Sequence, residues 1–210
     1  MGSRFFWLSF GGALLITLLA AWVSWRFFIQ PMDAAVKTAN VLHEKFQESL
    51  GVSPRILANA GVLFSQKSEL ESLVLASAEV GVLEGFDGQK PGGGDFSVAA
   101  VFRAEAGFMY REHLQINVRR GGASADVALP QIKILGLIMI SPLEFEPKDL
   151  DWDKMSERLQ TRISRSLERQ AKRKMIEDGL LKKAEQQLQE KVRSIASQAG
   201  CEVVFLKSEQ

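Results

Sequence analysis

The stretch Phe5 to Trp25, FFWLSFGGALLITLLAAWVSW, contains no charged residue and limits the rest of the chain more than any other feature. About 20 apolar residues at ~1.5 Å of helical rise each span a hydrocarbon core of ~30 Å, so the spacing predicts a transmembrane helix. Trp7, Trp22 and Trp25 stand near its ends, where indole rings settle at lipid interfaces, and Arg26 is the first charge beyond it. A cleaved signal peptide is the rival reading, because Arg4 and the amine of Met1 supply a basic start. Such a peptide ends in small residues after a short apolar run, whereas here the run is long and Ala20-Ala21 meets Trp22 directly. The expectation is a retained, single-pass signal anchor over residues 1–29. Arg4 and the amine favour a cytoplasmic N-terminus, which puts the following domain outside the cytoplasm, periplasmic if the bilayer is a cell inner membrane. The lipid bilayer is the first expected partner.

Residues 30–52 read as an amphipathic stalk helix. Pro31 suits a first helical turn, Val36, Ala39, Leu42, Phe46 and Leu50 recur at steps of three or four, and Gly51 stands where the helix would stop. That stripe needs cover, from the domain that follows or from other copies, and Val36, Leu42, Phe46 and Leu50 are its packing candidates.

From Pro54 the hydrophobic period changes to two. Ile56 to Phe64, Leu70 to Phe86, Phe96 to Tyr110 and Leu114 to Val118 all alternate, which predicts an antiparallel-rich sheet with one buried face over residues 54–149. The run LGLIMIS before Pro142 is almost continuously apolar and reads as a strand covered on both faces. Helix returns at Leu150, with Asp149 or Asp151 as cap and Met155, Leu159, Ile163, Leu167, Ala171 and Met175 at steps of four. Gly179 interrupts, a second helix ends before Gly200, and CEVVFL reads as a final short strand. The expected fold class is α+β, with residues 150–210 packing on the β domain around one core.

The single cysteine, Cys201, rules out an intramolecular disulfide or a Cys-based zinc cluster. His43 and His113 lie on different elements without a second ligand at metal spacing. Gly92-Gly93-Gly94 leads into a strand, not the helix that a phosphate cradle requires, and no hydrolase, zincin or Walker motif is present. No cofactor, metal or catalytic residue is expected. The sharpest polar feature is basic: Arg162, Arg165, Arg169 and Arg173 share one helix face, with Lys172 and Lys174 at its end. A solvated face is the plain reading, and docking on an acidic protein surface, its own or a neighbour's, is the next. Nucleic acid is not expected beside a membrane anchor.

FRAEAGFMYREHLQINVRR, ADVALPQIKILGLIMIS and the closing QAGCEVVFL together resemble the bacterial family known as domain of unknown function 4230, over roughly Ile56 to Leu206. The marks are Ala106-Gly107-Phe108, Leu129-Pro130 with Ile132 and Ile134, Ala184, and Gly200 before Val203-Val204. Members often carry an aspartate soon after the Ala-Gly pair, where this chain has Met109-Tyr110. The resemblance implies an anchor plus one such domain and supplies no activity. In layout the chain is also similar to the stomatin, prohibitin and flotillin domain, whose members form membrane rings. The expected function is therefore a membrane-anchored scaffold or assembly subunit without catalysis, acting as a homo-oligomer or within a membrane-protein complex. A tethered sensor with a pocket near Ala106-Gly107 and Leu129-Pro130 is the alternative.

Overall fold

A computed structural model describes residues 15–58, 61–64, 72–87, 93–109, 114–148 and 150–206; Trp7, His113 and Gly92 lie outside them. In chain order the elements are helix α1 (Leu15–Leu50), strands β1 (Arg55–Ala58), β2 (Gly61–Phe64), β3 (Ser72–Phe86), β4 (Phe96–Met109), β5 (Gln115–Val118), β6 (Ser124–Ala128), β7 (Lys133–Met139) and β8 (Glu144–Glu146), helices α2 (Glu157–Glu177) and α3 (Leu180–Gln198), and strand β9 (Glu202–Phe205). The fold is α+β, as the periodicities predict. The strands do not form one sheet around one core, however. They divide between two compact units, Met1–Glu69 with His113–Leu129 and Lys191–Gln210, and Leu70–Glu112 with Pro130–Glu190.

In the first unit, α1 is long and apolar enough to cross a membrane. Leu15, Ile16, Leu18, Leu19, Trp22 and Trp25 all project from it exposed, the arrangement that lipid covers and water disfavours. Anchor and stalk are one continuous helix, with no break at Pro31. A π-helical stretch, Trp25–Ile29, carries the chain past the proline: the Gln30 amide donates to the Trp25 carbonyl five residues back, so the ladder shifts before the missing N–H at position 31. From Ala35 onward one stripe is buried, comprising Ala35, Ala39, Leu42, Phe46 and Leu50. Val36 is only half-buried and Ala35 takes the inner position expected for it, because a helix pressed against a sheet favours the smaller side chain at the contact line.

The stripe packs on a five-stranded sheet of order β2-β1-β5-β6-β9, in which β1/β2 and β5/β6 are antiparallel and β1/β5 and β6/β9 parallel. β1 and β2, expected as parts of one strand, instead pair antiparallel with each other. Ile56, Leu114, Ile116, Val118, Ala125 and Val127 supply the sheet's side of the core. His43 stacks on Phe64, with ring centroids 4.0 Å apart.

The second unit is built on the long antiparallel pair β3 and β4, with β7 and β8 along the far edge of β4. A bulge between Val74 and Ala76 turns Val74 outward, while Ala76, Val80 and Val82 stay buried. Asp151 caps a short 3-10 turn, Trp152–Lys154, by accepting from the Asp153 amide. Ser156 then accepts from the Leu159 amide and starts α2 at Glu157, seven residues later than expected; Met155 is buried but precedes the helix.

Candidate functional site

Helix α2 lays Ile163, Leu167, Ala171 and Met175 on the sheet of the second unit, all of them buried. The sheet face it covers is the one bearing Val80, Val82, Phe86, Val98, Ala100 and Phe102. Glu84 belongs to that face: Ser166 Oγ donates to its Oε1 at 3.0 Å, while its Oε2 is buried without a partner.

The four arginines singled out from the sequence do come together. Arg162, Arg165, Arg169 and Arg173 are exposed on the side of α2 turned away from the sheet, and Arg158, one turn earlier, joins them. At 100° per residue the five fall within an arc of about 80°, and Ile176 falls inside it. Ile176 is 50% exposed, a large apolar side chain at the end of a cationic stripe. Among the described residues none of the five guanidinium groups has an ion-pair or hydrogen-bond partner. Such a face offers rigid forks that match carboxylate or phosphate groups two bonds at a time. Arg158 was legible at four residues before Arg162; Ile176 was not, because its apolarity alone does not say which way it points.

The other face of the same sheet has no helix over it. Leu83, Ile138 and Ile140 are exposed there at 67%, 59% and 41%. Register puts Glu79, Glu105, Glu144 and Glu146 on this side together with Arg103, which pairs with Glu79 at 2.6 Å. The face is thus apolar at its centre and acidic around it. The doubly covered strand expected at LGLIMIS is corrected here: β7 is an edge strand with no fully buried residue, and Ile138 on the open face and Met139 beside Phe102 on the other are both exposed.

A cleft of about 740 Å³ opens between the C-terminal half of α2 and the middle of β3 and β4. Arg173, Lys174, Glu177 and Asp178 line it from the helix and Glu144 from the strands, and Lys174 Nζ donates to the Gly81 carbonyl at 3.1 Å. None of the residues of the pocket expected near Ala106-Gly107 and Leu129-Pro130 lines this cleft. A Cβ on Gly107 would stand 1.9 Å from the Leu73 carbonyl oxygen and 2.9 Å from Leu135 Cδ1, so the Ala106-Gly107 pair serves close packing of strands. Among the described residues no group of three His, Cys, Asp or Glu side chains is arranged to hold a metal ion.

Of the remaining candidates, Leu42, Phe46 and Leu50 are buried against the first sheet, and Trp22, Trp25 and Arg26 are exposed on α1. Family models, curated proteins and solved structures give no match to this chain.

Proposed function

We propose that this protein is a single-pass membrane subunit that acts by assembly and not by catalysis. The observation that carries the reading lies in the second unit, where the arginine face of α2 and the open sheet face are opposite surfaces of one helix-on-sheet layer. One is a cationic stripe that ends at Ile176; the other is acidic around Leu83, Ile138 and Ile140. The open sheet face has the apolar centre and charged rim of a protein interface, and the two faces complement each other in charge. Because they differ, contact between copies is head-to-tail and builds a ring or an open array, not an isolated pair. The stalk stripe is covered by its own sheet and contributes nothing to assembly in this scheme.

The anchor holds these surfaces at one bilayer, which raises their effective concentration. In the proposed orientation the N-terminus is cytoplasmic, the two units lie outside the cytoplasm, and the bilayer is a bacterial inner membrane. Kinship with the domain of unknown function 4230 family is part of the same proposal. Replacing Arg165 and Arg169 with glutamate tests it: light scattering of the detergent-solubilised protein should show a smaller particle, and wild-type mass should fall with added salt, since exposed charge pairs are screened within ~10 Å at moderate ionic strength. Unchanged mass and salt response would return the arginine face to solvent.

A second reading is favoured by the cleft beside Arg173 and Lys174, whose size suits a small ligand. A tethered sensor would bind a small zwitterion there, and a ligand that shifts the unfolding midpoint of wild type but not of Arg173→Gln would support it.

A further inference from the structure

The five-stranded sheet of the first unit ends, among the described residues, on two strands with a free outer side, β2 at one edge and β9 at the other. Register lines up one row of side chains across all five strands: Val62, Leu57, Asn117, Asp126 and Val204, each opposite the next. Residues paired across strands share a face, and this row takes the face away from the core, which Ile56, Ile116 and Val127 supply from the alternate positions. The middle of the row is polar, and a two-pronged pair from Arg119 holds Asp126 there. Its ends are valines, 50% exposed at Val62 and 43% at Val204, with Leu63 and Leu206 exposed close by on the same two edges. A solvated sheet face that is polar in the middle and apolar at both margins is organised for contact at the margins.

The outer backbone of β9 is set for a further strand. The amides of Glu202 and Leu206 donate to the Ala123 and Val127 carbonyls, both at 2.9 Å, so by alternation Val203 and Phe205 aim their amides and carbonyls away from the sheet. Edges left in water are commonly blunted by lysine or proline. β2 and β9 contain neither, and Glu202 is their one charge. Strand direction decides which edges can meet. β2 is antiparallel to β1, β1 parallel to β5, β5 antiparallel to β6 and β6 parallel to β9, so β2 and β9 point the same way. Two like edges joined in an antiparallel ladder are related by a twofold axis normal to the sheet. α1 lies along the sheet through its stripe from Ala35 to Leu50, so that axis sets one helix head to tail on the other and sends the two anchors in opposite directions. β9 against β2 of the next copy needs no reversal: a rotation of the kind that builds a ring brings them together parallel, core face beside core face, with every anchor entering one bilayer from one side.

We propose that β9 of one copy pairs in parallel with β2 of the next, so that the sheet of the first unit continues from chain to chain and Val204 closes on Val62 of the neighbour. The joint rests on the anchor and on assembly, and it is independent of the arginine face in the second unit. Four residues a side bury far less than the ~1,200 Å² that a stable complex of free proteins takes. The shared bilayer supplies the difference by concentrating the two edges. A closed ring then leaves neither edge of this sheet open to a foreign strand.

The test is disulfide formation in native membranes by the full chain carrying Cys201→Ala together with Val62→Cys and Val204→Cys, oxidised with copper phenanthroline. This pair should give a ladder of dimers, trimers and larger species. Either new cysteine alone should leave the chain monomeric, and the two single variants expressed together should give dimers and nothing larger. Asn117→Cys with Val204→Cys, which puts one cysteine in the middle of the sheet, should give no ladder. Leu63→Lys added to the first pair places a charge on the edge and should lower the ladder several-fold. Dimers from either single variant alone would overturn the proposal in favour of like edges, and a ladder as strong from the Asn117 pair would overturn it as random collision. Cross-links to other proteins only would overturn it by assigning the edge to a foreign strand. Particles that carry several chains by mass photometry, yet give no ladder, would overturn the joint and leave assembly standing. Particles that carry one chain would overturn both.

Discussion

The Gly121 amide and the Pro31 carbonyl, 3.1 Å apart, join a hairpin turn in the first sheet to the helix just beyond its exposed apolar segment. This bond and the Gly122 contact beside it make the end of the exposed apolar segment of α1 a packed, directional feature. A flexible tether would leave the sheet free to tumble; this arrangement does not.

The two glycines of that turn should respond differently to alanine. Both have left-handed backbone angles, φ +94° at Gly121 and +73° at Gly122, but only Gly122 meets neighbours at the Cβ position. Gly121→Ala should cost about 1–2 kcal/mol, the left-handed penalty alone. Gly122→Ala adds overpacking of ~1–3 kcal/mol against Thr38 and Ala34. Denaturant unfolding of the two variants measures the difference, and equal losses would contradict the docked turn.

In the second unit, Gly107→Ala should be the most damaging single methyl. The added carbon would stand 1.9 Å from the Leu73 carbonyl oxygen, a backbone atom that no rotamer change can move. A loss above ~3 kcal/mol is expected, in the range where strands must separate to relieve the clash. Hydrogen exchange along β3 and β4 would report it as early opening next to the Val74 bulge; an unperturbed β3 would contradict the packing described.

Glu84 and Ser166 should behave as a coupled pair. With Oε2 already buried and unmet, Ser166→Ala removes the hydrogen bond that the Glu84 carboxylate accepts and should cost about 1–2 kcal/mol. Glu84→Met on top of it should restore most of that loss, because no polar group is then left buried. Strict additivity in the double-mutant cycle would show that the two side chains do not interact.

Burial pushes the Cys201 thiol up from its ordinary range. The folded chain therefore holds that proton more tightly than the unfolded chain does, so this contribution to stability is complete below about pH 8.5 and declines as pH rises through the folded value. Reaction with a disulfide reagent, followed against pH, should give a midpoint above ~8.5 and a rate well below that of the unfolded protein. A midpoint at or below that of a free thiol would contradict the burial.

Helix faces were legible in the sequence because their signal is local. The step of four from Ile163 to Met175 fixes which side of α2 is buried and, by the same geometry, where Arg162, Arg165, Arg169 and Arg173 must point. Strand membership was not, because period two says which face a residue takes and nothing about which sheet it joins. Ile116 and Phe102 show the same alternation, yet one lies in a mixed sheet under α1 and the other in an antiparallel sheet under α2. The apolar run at β7 was misread for a related reason: continuous hydrophobicity marks either a strand covered twice or an edge strand with an open face, and only the neighbours decide.

Assembly is tested most directly by counting chains in particles extracted from the native membrane in polymer-bounded discs, without detergent. Mass photometry should find discs carrying several copies of the 23.3 kDa chain, with a distribution that persists when expression is lowered. Discs that hold one chain at every expression level, with no companion protein, would contradict an assembly subunit.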